Sequence, residues 1–225
     1  MKKIVIFGLG ETAHLAYEYF TYDPDYNDHE IVGFCVDAEY KQEDEFCGLP
    51  VVTMEDVVTK FPPSEFYAFA SASSGQLNRV RETLYLKAKN KDYKCVSYVS
   101  SRAFIWRNVE IGENCFILED NTLQPFTKIK DNVILWSGNH IGHRSVIKNH
   151  SFISSHCVIS GYCNIGEYCF MGVNATIADN ITIEKDNFIG LGTVINKNTD
   201  ENGFYTGNPA EKKNVPATRF CKVKK

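Results

Sequence analysis

The chain has 225 residues, 44% of them apolar, and a formal net charge of −4. That length allows one or two domains with their own cores, and the acidic balance argues against an extended surface for nucleic acid. No run of eighteen apolar residues occurs, and the first ten residues lack the apolar core and cleavage site of a signal peptide, so a soluble, cytoplasmic protein without membrane insertion is expected.

The first hundred residues alternate between strand and helix patterns. Residues 2–7 read as a buried strand, Gly8-Leu9-Gly10 as a tight turn, 11–20 as an amphipathic helix, and 30–36 as a second strand ending at Asp37. A short extended piece at 49–52, a helix at 55–60, a third strand at 66–70, a charged helix at 76–89 and a fourth strand at 94–99 follow. This alternation implies a small parallel sheet of the nucleotide-binding type. Gly8 and Gly10 would let backbone N–H groups approach phosphate at a helix N-terminus, and Asp37 would accept from a ribose or base. The third glycine of the dinucleotide fingerprint is Ala13, so the pattern fits either a nucleotide site or a structural turn beside a solvated Asp37.

From residue 105 the pattern changes. Sixteen positions at a spacing of six, from Ile105 to Ile195, are all Ile, Leu or Met. That period belongs to neither helix nor isolated strand and marks an internal repeat, with three hexapeptides closing one coil of a parallel β-helix. Residues eighteen apart then stack at about 4.8 Å. Small residues recur four places after the aliphatic ones, among them Cys115, Cys157, Cys163 and Cys169, which read as buried thiols; the eight cysteines show no CxxC pairing, so neither zinc nor disulfides are expected.

Four of the six histidines, His140, His143, His150 and His156, fall in seventeen residues of the repeat, outside the inward positions. Metal binding is disfavoured because no carboxylate lies between residues 132 and 166. His150 reads as a solvent-facing spacer. His143 reads as a general base, since imidazole titrates near neutrality. Eighteen residues on stands Gly161, whose bare N–H would face an oxygen that becomes negative in a tetrahedral intermediate, and eighteen further stands Asp179. After the coils, Gly207-Asn208-Pro209-Ala210 and Lys212 form either a phosphorylated-ligand site along the coil edge or a plain cap.

The hexapeptide array, the histidine segment and Gly207 to Ala210 resemble the hexapeptide-repeat acyltransferases. With the Gly8-Leu9-Gly10 domain in front, the whole chain is similar to the sialic acid O-acetyltransferase and bacillosamine N-acetyltransferase group. The resemblance implies a Rossmann-like α/β domain at 1–100 followed by a left-handed parallel β-helix at 101–225, assembled as a homotrimer. It also implies acetyl-CoA between neighbouring coils, held by Gly161, Gly207, Asn208, Pro209, Ala210 and Lys212. A nucleotide-linked amino sugar would be held by Gly8, Gly10, Asp37, Trp136 and His140, with His143 as base and Gly161 as oxyanion donor. Two family positions differ: an acidic residue after the base is Arg144 here, and a second histidine nine places on is Phe152. The group that orients His143 is therefore not evident from sequence. The expected activity is N-acetylation of a nucleotide-linked amino-deoxysugar, such as a 4-amino-4,6-dideoxyhexose, for surface glycans. O-acetylation of a sugar hydroxyl and a non-catalytic trimeric scaffold are the alternatives.

Overall fold

The computed structural model describes residues 1–224. Strand β1 (Lys2–Phe7) turns through glycine into helix α1 (Glu11–Tyr22), which leads to β2 (His29–Val36). A short hairpin of β3 (Glu45–Phe46) and β4 (Leu49–Thr53) precedes α2 (Val57–Lys60), β5 (Phe66–Ala70) and α3 (Arg79–Lys89). The sheet order is β3-β4-β2-β1-β5, parallel except for the antiparallel β3 edge. Apolar runs build these strands because both faces are covered, as in other parallel sheets.

The expected fourth strand at 94–99 does not join this sheet. Cys95 makes a single bridge to Ala68, and β6 (Tyr98–Val99) pairs with Phe116–Ile117 in the repeat region instead. Tyr98 is drawn there because its ring packs among Tyr19, Phe20, Tyr26 and Phe116. The helix expected from residue 76 begins at Arg79, because Gln76, Leu77 and Asn78 all adopt positive φ. The one expected at 55–60 is only the turn at Val57–Lys60.

The repeats form a three-faced coil of two-residue parallel strands. The first face carries His140–Ile141 between Thr122–Leu123 and Val158–Ile159, the second carries Val146–Ile147, and the third carries Ile134–Leu135. Each pairing links residues eighteen apart, such as Thr122 with His140 and Leu123 with Ile141. The aliphatic residues point inward and are buried from Ile117 to Ile195. Cys115 and Cys169 are fully buried beneath the corners, where desolvation pushes their thiols up to about 12.

Every corner from Asn114 to Gly192 is turned by one residue of positive φ, recurring every sixth position. Asn, Asp and Gly occupy most of these sites, as the sterics of that conformation favour. Phe126, Arg144, His150, His156, Tyr162 and Tyr168 do not fit that preference, and they cluster in the middle coils.

The α/β domain sits on the third face. Phe20, Phe69, Tyr98, Phe116, Leu118, Ile134 and Phe152 form one buried cluster that spans both halves of the chain. Polar contacts at the adjoining corner fix the register: Asn114 exchanges two hydrogen bonds with the Ala70 backbone, at 2.7 and 3.0 Å, and Asn78 Nδ2 donates to the Cys169 carbonyl at 3.1 Å.

Candidate active site

His143 lies on the edge between the first and second faces, exposed, one residue before the positive-φ corner at Arg144. Its imidazole lies over Gly161 in the next coil. A Cβ on Gly161 would stand 2.6 Å from His143 Cε1 and 3.0 Å from Nδ1, so any side chain there would push the ring out of this position. Tyr162 meets the imidazole edge-on with centroids 5.0 Å apart. Gln124 Oε1 accepts the His143 backbone N–H at 2.9 Å and lies 3.4 Å from Nδ1.

Gly161 is buried, and its N–H donates to Asp179 Oδ1 at 2.8 Å. The stacking arithmetic thus brings His143, Gly161 and Asp179 together, but the expected oxyanion donor already serves a carboxylate. For that N–H to meet an oxyanion, Asp179 must turn away.

The other expected site residues divide into groups. Half-buried His140 sits on the first face, between Thr122 and Val158. Half-buried Trp136 packs against the interdomain cluster with its ring 6.3 Å from Phe152. The turn from Gly207 to Ala210 extends the first face: Val194 N–H donates to the Gly207 carbonyl at 3.0 Å, and Ala210 N–H to the Val194 carbonyl at 2.9 Å. His140, the His143 edge and the tail turn therefore share one side of the coil. Lys212 lies outside this arrangement, in an ion pair with Asp200 at 2.7 Å.

In the α/β domain, Gly8 and Asp37 line one cleft of about 500 Å³, together with Leu9, Ser71, Thr83 and Lys87. Gly8 has φ of 129° and packs against the Ser71 carbonyl, leaving no room for a side chain. Gly10 caps α1 with φ of 96° and does not line the cleft. Lys87 Nζ holds both Asp37 oxygens, at 2.6 and 2.7 Å. The Ser71 hydroxyl is buried without a hydrogen-bond partner among the described residues. Neither Trp136 nor His140 reaches this cleft. A larger one of about 730 Å³ between α1 and the first coil, lined by Tyr19, Tyr22, Asp23 and Arg102, contains none of the expected residues.

A family model described as bacterial transferase hexapeptide (six repeats) matches residues 126–161, the stretch holding His140, His143 and Gly161. The chain superposes on the acetyltransferase domain of PglB from Neisseria gonorrhoeae with a TM-score of 0.81 at 22% identity, over 94% of this chain and 100% of that one. PerB from Caulobacter crescentus, in complex with CoA and GDP-perosamine, matches with a TM-score of 0.82 at 21% identity, over 95% and 98% of the two chains. WeeI from Acinetobacter baumannii matches with a TM-score of 0.73 at 20% identity, over 94% and 100%. This chain has the hexapeptide-repeat acetyltransferase fold.

The hexapeptide coil accordingly has the left-handed sense, behind a Rossmann-like domain. Within it, His150 differs from the expected solvent-facing spacer. It is 8% exposed, stacks on Tyr168 at 5.0 Å, and lies 3.7 Å from Glu82 of α3. The reason is that α3 covers this corner, which the coil sequence alone does not reveal. Burial pulls the imidazole below its ordinary value, with the Glu82 carboxylate opposing. The folded chain then binds fewer protons than the unfolded one just below pH ~6.5, so this contribution is complete above ~6.5 and is lost as the pH falls. Urea midpoints between pH 7.5 and 5.5 should fall more steeply for the native chain than for His150→Gln.

Gln124 and Lys87 had no sequence signal beyond their residue type. Stacking arithmetic does place Gln124 one residue out of step with His143. The hexapeptide coil also makes the Gly161 requirement testable. Gly161→Ala should displace the imidazole from Gln124, read as a shift of the His143 ring signals in nitrogen-15 spectra, with an unchanged circular-dichroism spectrum.

Proposed function

We propose that the chain is an acetyl-CoA-dependent N-acetyltransferase acting on a nucleotide-linked amino-deoxysugar of the 4-amino-4,6-dideoxyhexose class. The observation that carries this reading is His143, seated over a side-chain-free Gly161 with its backbone N–H and Nδ1 both facing Gln124 Oε1. His143 Nε2 takes a proton from the acceptor amine as the amine nitrogen bonds to the thioester carbonyl carbon. The carbonyl oxygen becomes an oxyanion, met by the Gly161 N–H once Asp179 releases it. The C–S bond then breaks, and the departing thiolate takes the proton back from the imidazolium, so no covalent acyl-enzyme is needed.

The tail turn from Gly207 to Ala210, on the same side as His143, fits a role in holding CoA. The Gly8 and Asp37 cleft fits a nucleotide, with Ser71 and Lys87 as added polar groups. The PerB complex with CoA and GDP-perosamine supports this substrate class. Phe104, Trp106, Phe126, Val158 and Tyr162 expose apolar surface along the first face and its edge, which supports a homotrimer that covers it. No helix among the described residues is long and apolar enough to cross a membrane. A cytoplasmic role, supplying activated sugars before glycan assembly, is part of the proposal.

The test is CoA release from acetyl-CoA with UDP-, dTDP- and GDP-linked amino sugars, beside their hydroxyl counterparts and free sugars. Turnover with one nucleotide-linked amino sugar is expected. Turnover confined to hydroxyl or free sugars would replace the reading with O-acetylation, and none at all would favour the scaffold.

A further inference from the structure

Side-chain acceptors bridge neighbouring coils along two edges, twice after the second face and once after the first. Asp131 Oδ1 accepts the Glu113 N–H at 3.0 Å, Asn149 Oδ1 the Asp131 N–H at 3.1 Å, and Asp179 Oδ1 the Gly161 N–H at 2.8 Å. In each case the acceptor stands eighteen residues after the donor. On the His143 edge this bond is made by Gly161, and His143 cannot make it, because the residue eighteen on is Gly161, which has no side chain. The His143 N–H turns to the preceding coil instead, where Gln124 Oε1 receives it at 2.9 Å.

That contact bears on a proton position. A backbone N–H needs an acceptor, and of the two ends of an amide side chain only the oxygen accepts, so the Gln124 atom facing His143 is oxygen. The same atom lies 3.4 Å from Nδ1. An oxygen that only accepts favours a donor opposite it, which is met by the ring form with hydrogen on Nδ1 and the lone pair on Nε2. We propose that Gln124 is the positioning residue for His143, holding it in the Nδ1–H tautomer with Nε2 free to take a proton. This deepens the reading of His143 as the base and rests on it.

Gln124 differs from an acidic partner in one respect: it orients the ring without adding a charge that would stabilise imidazolium. The other groups around the ring are Tyr162 edge-on, Arg144 next in the chain with its guanidinium 4.3 Å from the Phe126 ring centroid, and Asp179 on the Gly161 N–H. A carboxylate at position 124 would place a negative charge beside Nδ1.

Nitrogen-15 spectra of the imidazoles in the full chain test this without any substrate, with the His143 signals assigned from their loss in His143→Gln. The native chain should show Nδ1 protonated and Nε2 unprotonated in the neutral ring. Gln124→Met should move the ring toward the Nε2–H form. Gln124→Glu should keep Nδ1–H and raise the titration midpoint relative to the native chain by about one pH unit. A native ring in the Nε2–H form, or no change in Gln124→Met, overturns the proposal. If Gln124→Met does not fold, the native spectrum and the Glu variant decide it.

With a turned-over acceptor in hand, Gln124→Met should lower kcat about tenfold at unchanged KM, the size of effect expected when a general base is present but mispositioned. Gln124→Glu should restore kcat with the acid limb of its pH profile displaced upward; a rise in KM alone would contradict the assignment. Absence of native turnover bears on the proposed function, whereas the tautomer bears on Gln124, so the two failures are separable.

Discussion

His143→Ala should lower the rate of CoA release in the proposed acetyl transfer at least roughly a hundredfold at saturating acceptor, the usual loss when a positioned general base is removed. The alanine leaves space above Gly161, so the backbone has no reason to shift, and the ring is exposed, so little buried surface is lost. The melting temperature should therefore stay near that of the native chain while turnover collapses. The KM for the acceptor should change little, because in the proposed reaction the imidazole takes up the amine's proton and has no part in holding the nucleotide. Steady-state kinetics on both proteins provide the check, and a variant that keeps more than a tenth of native kcat would remove His143 from the mechanism.

The second large effect concerns stability. Arg81 is 1% exposed, and its guanidinium contacts no carboxylate among the described residues. It donates instead to the carbonyls of Asn132 at 3.2 Å, His150 at 3.0 Å, Ser151 at 3.3 Å and Ser73 at 3.3 Å, with the Phe152 ring beside it. Burial lowers its pKa to about 9, so it still carries its charge at neutral pH. Arg81→Met keeps much of the volume and strands the buried Asn132 and His150 carbonyls at about 1–3 kcal/mol each, since Ser151 O keeps the Ile134 N–H and Ser73 is exposed; the loss is partly offset because a desolvated charge is removed. A net loss of about 3 kcal/mol is expected, read from urea unfolding. A loss below about 0.5 kcal/mol would show that the guanidinium does not tie the two halves together. Arg81→Lys should recover only part of the loss, since one ammonium cannot reach carbonyls on both sides.

The coil was legible because its rule is arithmetic. One inward aliphatic every six residues fixes the pairing of residues eighteen apart, and stacking alone placed His143, Gly161 and Asp179 on one edge. The third strand of the α/β sheet, Phe66–Ala70, was equally readable from a run of apolar residues between turn signals. What escaped depends on the docking of one half against the other. Tyr98 reads as the end of a strand in the first domain, but its ring is claimed by Phe116 and α1. His150 and Arg81 look like solvated polar residues because nothing local says that α3 lies on that corner. The left-handed corners at Phe126, Tyr162 and Tyr168 carry no signal either, since aromatic side chains rarely take that conformation unless tertiary contacts impose it. Gln124 was hidden because the missing side chain at Gly161 sends the His143 N–H to the opposite neighbouring coil, to a residue one place out of step with the stack.

The coil also works as a graduated scale. His143 follows Ile141, and the tail turn bonds to Val194 beside Ile195, three coils away along one face. At about 4.8 Å per coil the two marks stand about 14 Å apart. That reach cannot be adjusted smoothly: one inserted residue would turn every later aliphatic toward water, while eighteen would add a single graduation. Divergence among chains of this build should therefore alter the span in whole coils, and finer tuning falls to the loop that follows Ile195.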